Sequence, residues 1–363
     1  MNNYHNLRAF ADIHLTNLHQ NLHNIKVLHP HKKVIVMLKA NAYGHGAIEI
    51  AHALDGLCDY FGVASIEEGI ELRDYGINTK IIIFSGFFCQ QMTQKLINHS
   101  LIPIIHSTYQ YELLVPYFKR CNAEIWLKVN TGMNRLGLNY NEFNDLYNKA
   151  QFYQKPLNAL THLAESENKD QSFTQLQLTR FYQLIQDKQL VNISAFNSAA
   201  SLLNANIDKT NTIRIGLALY GACAQDAKDL GCTLHSVMSL HSHVIAIQPI
   251  KKGESVGYNR RYIAEEDTYI AIASIGYGDG YPQSTPNGTT VLINDIPYPT
   301  AGKVSMDLMA IEIGANHDIK IGDVVTLFGV PKLTVDQIAK QIGTSSYAIL
   351  TAINPRVTRF YLD

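Results

Sequence analysis

An amine stands at the end of an apolar run in Val34–Gly46, which reads V-I-V-M-L-K-A-N-A-Y-G-H-G. Val34–Leu38 shows no polar alternation, as expected of a strand buried on both faces. Lys39 ends the run. Asn41, Gly44 and Gly46 then break regular structure before Ala47–Ala51 opens a helix. Such strand-end loops are the usual seat of chemistry in parallel barrels and doubly wound sheets. Partial burial there disfavours the ammonium and makes the amine nucleophilic, as Schiff-base chemistry needs. A lysine that merely snorkels at a strand end has the same surroundings, and the stretch alone does not choose.

Other residues could carry chemistry. Lys128 and Arg135 bracket the loop Val129–Asn134 after a later apolar run. An arginine fork there suits a carboxylate or phenolate, although a surface arginine reads alike. His162 falls at another strand end, where a lone histidine is more often structural than catalytic. Asn197-Ser198-Ala199-Ala200 and Arg214-Ile215-Gly216-Leu217 close the last two runs. Their small residues and backbone N–H groups would suit a phosphate. Gly257-Tyr258 and Gly276–Tyr281 are glycine-rich turns, equally readable as tight hairpins. The pairs His29/His31 and His241/His243 lack further ligands at metal spacing, which speaks against zinc. The lack of a G-x-S-x-G elbow speaks against a serine hydrolase.

The elements that must position these residues follow from periodicity. Leu15, Leu18, Leu22, Ile25 and Leu28 keep helical spacing until Pro30. After Val34–Lys39 come short apolar runs at Phe61–Ala64, Ile81–Phe84, Leu101–Ile105, Ile125–Val129, Ala159–Leu163, Ile193–Phe196 and Ile213–Leu219. Stretches of helix length lie between them, such as Glu67–Tyr75 and Phe173–Gln186. About eight strand–helix units close a (β/α)8, TIM-like barrel. No G-x-G-x-x-G follows the first strand, which disfavours an open dinucleotide-binding sheet. Near Leu234 the pattern turns to successive strands: Val237–Ile247, Tyr269–Ile275, Thr290–Ile293, Met309–Ile313 and Val324–Phe328. Thr334 and Gln337 start one late helix as a capping box, and Gly343 stops it. The expected division is a barrel over 1–234 and a mostly β domain over 235–363.

Length and composition agree with that size. The chain has 363 residues, 46% of them hydrophobic, and a formal net charge of −1. No basic tract stands out, which argues against a nucleic-acid partner. Cys58, Cys89, Cys121, Cys223 and Cys232 form no CxxC pair and read as thiols in a reducing compartment. The N-terminus lacks a basic region followed by an apolar stretch, and no segment is long enough to span a bilayer. A cytoplasmic chain is the expectation.

Five motifs give a more specific reading. They are Leu38–Gly46, Thr131-Gly132-Met133-Asn134-Arg135-Leu136-Gly137, Asn197-Ser198-Ala199-Ala200, Gly276-Tyr277-Gly278-Asp279-Gly280-Tyr281-Pro282 and Gly302-Lys303-Val304-Ser305-Met306-Asp307. With their order, they make the chain resemble the alanine racemases, pyridoxal-phosphate enzymes of fold type III, over nearly its whole length. The resemblance implies that Lys39 binds pyridoxal 5'-phosphate and is one of two catalytic bases. Tyr258 would be the other, reaching across a head-to-tail homodimer to the partner's site. Arg214 would face the pyridine nitrogen. Tyr43, Ser198, Gly216, Leu217 and Tyr347 would hold the phosphate, with Asn197 beside them. Arg135 would contact the cofactor phenolate and the substrate carboxylate, and the Met306 backbone would contact the substrate. His162 would connect Arg214 with Tyr258 and share in a cation network. Lys128 matches a lysine carbamylated in some members, and Tyr277 would stand in the access corridor.

The implied reaction interconverts L-alanine and D-alanine, for peptidoglycan supply or D-alanine catabolism. Racemisation needs one base to take the Cα proton and another to return one on the opposite face. The cofactor spreads the resulting charge. Some positions depart from the family pattern. Asn130 replaces an aspartate and would alter the support of Lys128. Glu167, Gln283 and Lys303 differ at corridor positions and bear on substrate access.

Overall fold

The computed structural model describes residues 6–118, 124–203, 209–223, 228 and 231–363. Cys121 lies outside these residues. Cys58, Cys89 and Cys232 are free thiols.

The first strand, β1 (Ala9–His14), is followed by the helix Leu15–Leu28, which buries Leu18, Asn21, Leu22 and Ile25. Eight parallel strands come next: β2 (Lys33–Met37), β3 (Tyr60–Val63), β4 (Lys80–Ile83), β5 (Leu101–Ile105), β6 (Ile125–Lys128), β7 (Leu157–Leu160), β8 (Asn192–Ser194) and β9 (Thr212–Ile215). Their order in the sheet is β8-β7-β6-β5-β4-β3-β2-β9. The sheet curls until its ends meet, and the Arg214 N–H donates to the Phe196 carbonyl across the seam at 3.1 Å. This is the expected TIM-like barrel, nearly closed. Buried Tyr60 and Trp126, from strands that are not neighbours in the sheet, meet edge to face at 6.0 Å between ring centroids, so the barrel interior is packed core.

The apolar run Ile213–Leu219 is not one strand. It ends at Ile215, and Leu217–Tyr220 forms a tight turn. The reason is local: the Gly216 N–H leaves the ladder and donates to Ser198 Oγ at 2.9 Å.

The second layer is β. It contains β10 (Met238–Ile250), β11 (Ser255–Val256), β12 (Tyr262–Ile263), β13 (Thr268–Ala273), β14 (Thr290–Ile293), β15 (Ile296–Pro299), β16 (Met309–Glu312), β17 (Val324–Phe328) and β18 (Thr358–Leu362). The main sheet runs β15-β14-β17-β10-β1-β18, with β13 pairing both β10 and β16. The N-terminal strand therefore belongs to this sheet, antiparallel to β10 and parallel to β18. Chain order and spatial grouping part company here. The helix Val335–Ile342 begins with the Thr334–Gln337 capping box and ends at Gly343, as its sequence predicts. Among the described residues no helix is long and apolar enough to cross a membrane.

Candidate active site

Lys39 follows the C-terminal end of β2 and opens an unusual turn. Ala40, Asn41, Ala42 and Tyr43 all have φ between 51° and 55°, and Gly44 has φ 81°. A run of left-handed residues costs about 1–2 kcal/mol for each non-glycine member, so the surroundings must hold it. The Ala42 and Gly44 N–H groups donate to the Leu38 and Ala40 carbonyls at 2.8 and 3.0 Å. Asn41 Oδ1 accepts from the Ala47 N–H at 2.8 Å and starts the next helix. Beneath the turn His45 is fully buried. Its Nδ1 donates to the Ala42 and Tyr43 carbonyls at 3.0 and 2.9 Å. From the second sheet, Arg359 Nε donates to the Gly44 carbonyl at 2.7 Å and the Tyr361 hydroxyl to the His45 carbonyl at 3.1 Å.

The turn faces a cavity of about 430 Å³ lined by Lys39, Tyr43, Lys128, Arg135, His162, Asn197, Ser198, Arg214, Gly216 and Tyr347, with Met37, Ala64, Phe84, Ser85 and Leu136. Apart from Tyr347, which lies on the helix Ser346–Ala352, these residues come from the C-terminal ends of seven barrel strands. Four are cations: Lys39, Lys128, Arg135 and Arg214. None of the four pairs with a carboxylate among the described residues. Lys39 is reached by solvent through the cavity mouth, yet its surroundings lower its pKa, first by desolvation and then through Arg135 and Arg214. Burial, with the same arginines and Lys39, pushes Lys128 down to about 8. Such a ring binds anions.

Arg214 is buried at the centre. Its Nη1 donates to Ser194 Oγ at 2.7 Å, and its Nη2 to the Thr161 and Ala195 carbonyls at 2.8 and 3.2 Å and to His162 Nδ1 at 3.2 Å. Every one of these partners is neutral. Burial lowers Arg214 to about 10, which leaves it cationic at neutral pH. His162 is pushed down to about 3 by burial and then by Arg214, Lys128, Arg135 and Lys39. It is neutral, so the expected cation network rests on Arg214 without it. Asn130 Oδ1 accepts from the Gly132 and Asn134 N–H groups at 3.1 and 3.0 Å, capping the loop that carries Arg135.

The far end of the cavity is a cradle of hydroxyls and backbone N–H groups. Tyr43 is buried, and its ring packs 5.1 Å from that of Tyr220 and 5.9 Å from that of Tyr347. A Cβ at Gly216 would lie 2.4 Å from the Tyr43 hydroxyl oxygen, so only glycine leaves room for it. Ser198 Oγ accepts from Gly216 N–H and, at 3.4 Å, from Ala218 N–H. Leu217 is buried behind the cradle, and Asn197 Oδ1 accepts from the Ser166 hydroxyl at 2.9 Å and the Ala200 N–H at 3.0 Å. Hydroxyls and N–H groups at one end, cations along the wall and a weakened lysine suit pyridoxal 5'-phosphate, with its phosphate, phenolate and aldehyde.

Tyr258 and Met306 are not brought to this cavity within one chain. Both stand in loops of the mostly β part of the chain, 67% and 52% exposed. Tyr277 lies beside Met306: the Tyr277 and Gly278 N–H groups donate to the Ser305 and Met306 carbonyls at 3.1 and 2.8 Å. One residue escaped the sequence reading: Glu68, whose carboxylate accepts from the Ala40 N–H at 2.8 Å. Its signal was the Ser65–Glu68 capping-box spacing, which marks a helix start and says nothing of the lysine.

A cation-ringed barrel mouth with a lysine of lowered basicity on its first strand defines a class: barrel enzymes that hold a carbonyl compound through an amine. The comparisons narrow it. Residues 13–224 match the family described as alanine racemase, N-terminal domain, and residues 237–361 match alanine racemase, C-terminal domain. The alanine racemase of Shewanella sediminis is 37% identical over 352 residues, covering 96% of this chain and 97% of that one. That of Coxiella burnetii is 38% identical over 360 residues, covering 96% and 98%. The crystal structure of the biosynthetic alanine racemase from Pseudomonas aeruginosa superposes with a TM-score of 0.91 at 32% identity, covering 98% of this chain and 100% of that one. The chain belongs to the alanine racemase family, whose members depend on pyridoxal 5'-phosphate.

Proposed function

We propose that this chain is an alanine racemase acting as a homodimer in the cytoplasm, forming D-alanine for peptidoglycan. The observation that carries the reading is the set of three cations, Lys128, Arg135 and Arg214, unpaired with carboxylates, around Lys39. In this reading residues 1–234, joined by Tyr347 of the same chain, bind the cofactor, and the rest of 235–363, with β1 in their sheet, completes the partner's site.

When bound, pyridoxal 5'-phosphate supplies an aldehyde for an amine to hold and an electron sink that acidifies the Cα proton of alanine. Lys39 holds it, because desolvation and neighbouring cations favour the neutral, nucleophilic amine. Tyr43, Asn197, Ser198, Gly216, Leu217 and Tyr347 orient its phosphate, and Arg214 meets its ring nitrogen. An arginine that remains cationic keeps its protons, so Arg214 orients that nitrogen without protonating it. Arg135 takes the substrate carboxylate and the cofactor phenolate, and the Met306 backbone meets the substrate. Lys39 moves the Cα proton at its Nζ on one face. Tyr258 of the partner subunit moves it at its hydroxyl on the other. Two bases of different type on opposite faces are what inversion of a stereocentre requires.

The test is a coupled assay. Purified protein supplied with pyridoxal 5'-phosphate and L-alanine should yield D-alanine, read with a D-amino-acid oxidase. Protein that binds the cofactor yet forms no D-alanine would sink the reading.

A further inference from the structure

Glu68 reaches across two neighbouring barrel strands. Its Oε2 accepts from the Ala64 and Ser65 N–H groups at 2.6 and 3.2 Å, while the Ser65 hydroxyl accepts from the Glu68 N–H at 3.2 Å. That much caps the helix Ile66–Asp74. The other oxygen does something a cap does not need. Oε1 accepts from the N–H of Ala40, the residue after Lys39 and the first of the left-handed turn. One carboxylate thus ties the loop after β3 to the loop after β2.

Its charge also matters. Lys39 is faced by Lys128 from the end of β6, Arg135 from the following loop, Arg214 from β9 and neutral His162 after β7. Tyr43 comes from its own turn. Glu68 is the opposing charge, and it acts on Lys39 in the direction that favours the ammonium. We propose that Glu68 is a positioning residue for Lys39, pinning the lysine's turn through Ala40 and setting an anion against the cation ring. This rests on the reading of Lys39 as the amine that holds the cofactor. The strained turn is then fixed by a side chain from the next strand unit, and the same carboxylate partly offsets the push of the cations on the amine.

The experiment uses the full chain, freed of cofactor with hydroxylamine, and reads the ionisation midpoint of Lys39. Acetylation with acetic anhydride over a pH series, followed by peptide mass spectrometry, gives that midpoint. In Glu68→Gln the cations remain and the anion is gone, so the midpoint should fall by about 0.5–1 pH unit. Glu68→Asp keeps the charge on a shorter arm and should lie closer to the parent. A Glu68→Gln midpoint equal to the parent's would overturn the proposal. If that variant does not fold, hydrogen exchange of the Ala40 amide in the unaltered protein decides. Slowing by about tenfold or more relative to an unprotected amide is expected, and unprotected exchange overturns the proposal. Borohydride reduction and peptide mapping of the parent keep the two readings apart. A pyridoxyl group away from Lys39 refutes the assigned role of Lys39, whatever Glu68 does.

Discussion

Arg214 and His162 are joined by a hydrogen bond in which Nη2 of the buried arginine donates to Nδ1 of the histidine at 3.2 Å. Arginine can only donate, so Nδ1 accepts and the proton of the neutral ring sits on Nε2. Burial, and then Arg214 with the other surrounding cations, hold His162 near a pKa of about 3. Its ring nitrogen resonances should therefore stay flat from pH 5 to pH 8 in a titration followed by NMR. A midpoint near 6.5, the ordinary histidine value, would show that the cation ring does not act on it.

Acid should weaken the fold through histidines held neutral. His45 and His241 are each pushed down to about 4, chiefly by burial, and His162 to about 3. In the unfolded chain each takes a proton near pH 6.5. Their contribution to stability is present above pH 6.5 and is lost as the pH falls toward 4, because there the unfolded state binds more protons. The urea midpoint should drop between pH 7 and pH 5, and His45→Gln should flatten that drop. A midpoint that does not change over this range would contradict the assignment.

Gly216 can be tested by size alone. The added methyl of Gly216→Ala would meet the Tyr43 hydroxyl at 2.4 Å, and Tyr43 is hemmed in by Tyr220 and Tyr347. Overpacking of this kind costs about 1–3 kcal/mol. Binding of pyridoxal 5'-phosphate, read by spectral titration, should weaken by about tenfold or more at ~1.4 kcal/mol per decade. Unchanged affinity would place the phosphate elsewhere.

Asp279 organises the exposed half of the site. Its buried carboxylate accepts from Arg8 Nη1 at 3.3 Å and from the Gly276 N–H at 2.9 Å, and lies 3.4 Å from Arg356 Nε. Arg356 also binds Asp307, at 2.6 Å. Together these pin the loops carrying Tyr277 and Met306. Asp279→Asn should destabilise the chain by about 1–3 kcal/mol in denaturant unfolding and raise KM more than it lowers kcat. Equal falls in kcat and kcat/KM would instead indicate a role in the transition state.

Much of this was legible in the sequence because burial leaves a mark there. The uniform apolar runs from Val34 to Ile215 gave the barrel strands, and Thr334, Gln337 and Gly343 gave a helix with both its ends. What escaped depends on contacts far apart in the chain. β15 holds Pro297 and Pro299, which only an edge strand tolerates, so it reads as a loop. β1 looks like a prelude to the barrel, yet its partners lie more than 200 residues away in β10 and β18. The left-handed turn after Lys39 has ordinary alanines where glycine would announce it, because Glu68 and Arg359 hold it from outside. Neutral His162 could not be foreseen either, since its state is set by Arg214 from another strand.

The central claim is that Lys39 of one chain works with Tyr258 of another. Lys39→Ala and Tyr258→Ala proteins, each inactive alone, should be mixed in equal amounts under conditions where subunit exchange is verified. Half the dimers are then hybrids with one intact site of two, so activity should return to about a quarter of the unaltered enzyme's. If Tyr258 served Lys39 of its own chain, every site in the mixture would carry a defect. No recovery despite exchange would contradict the shared site.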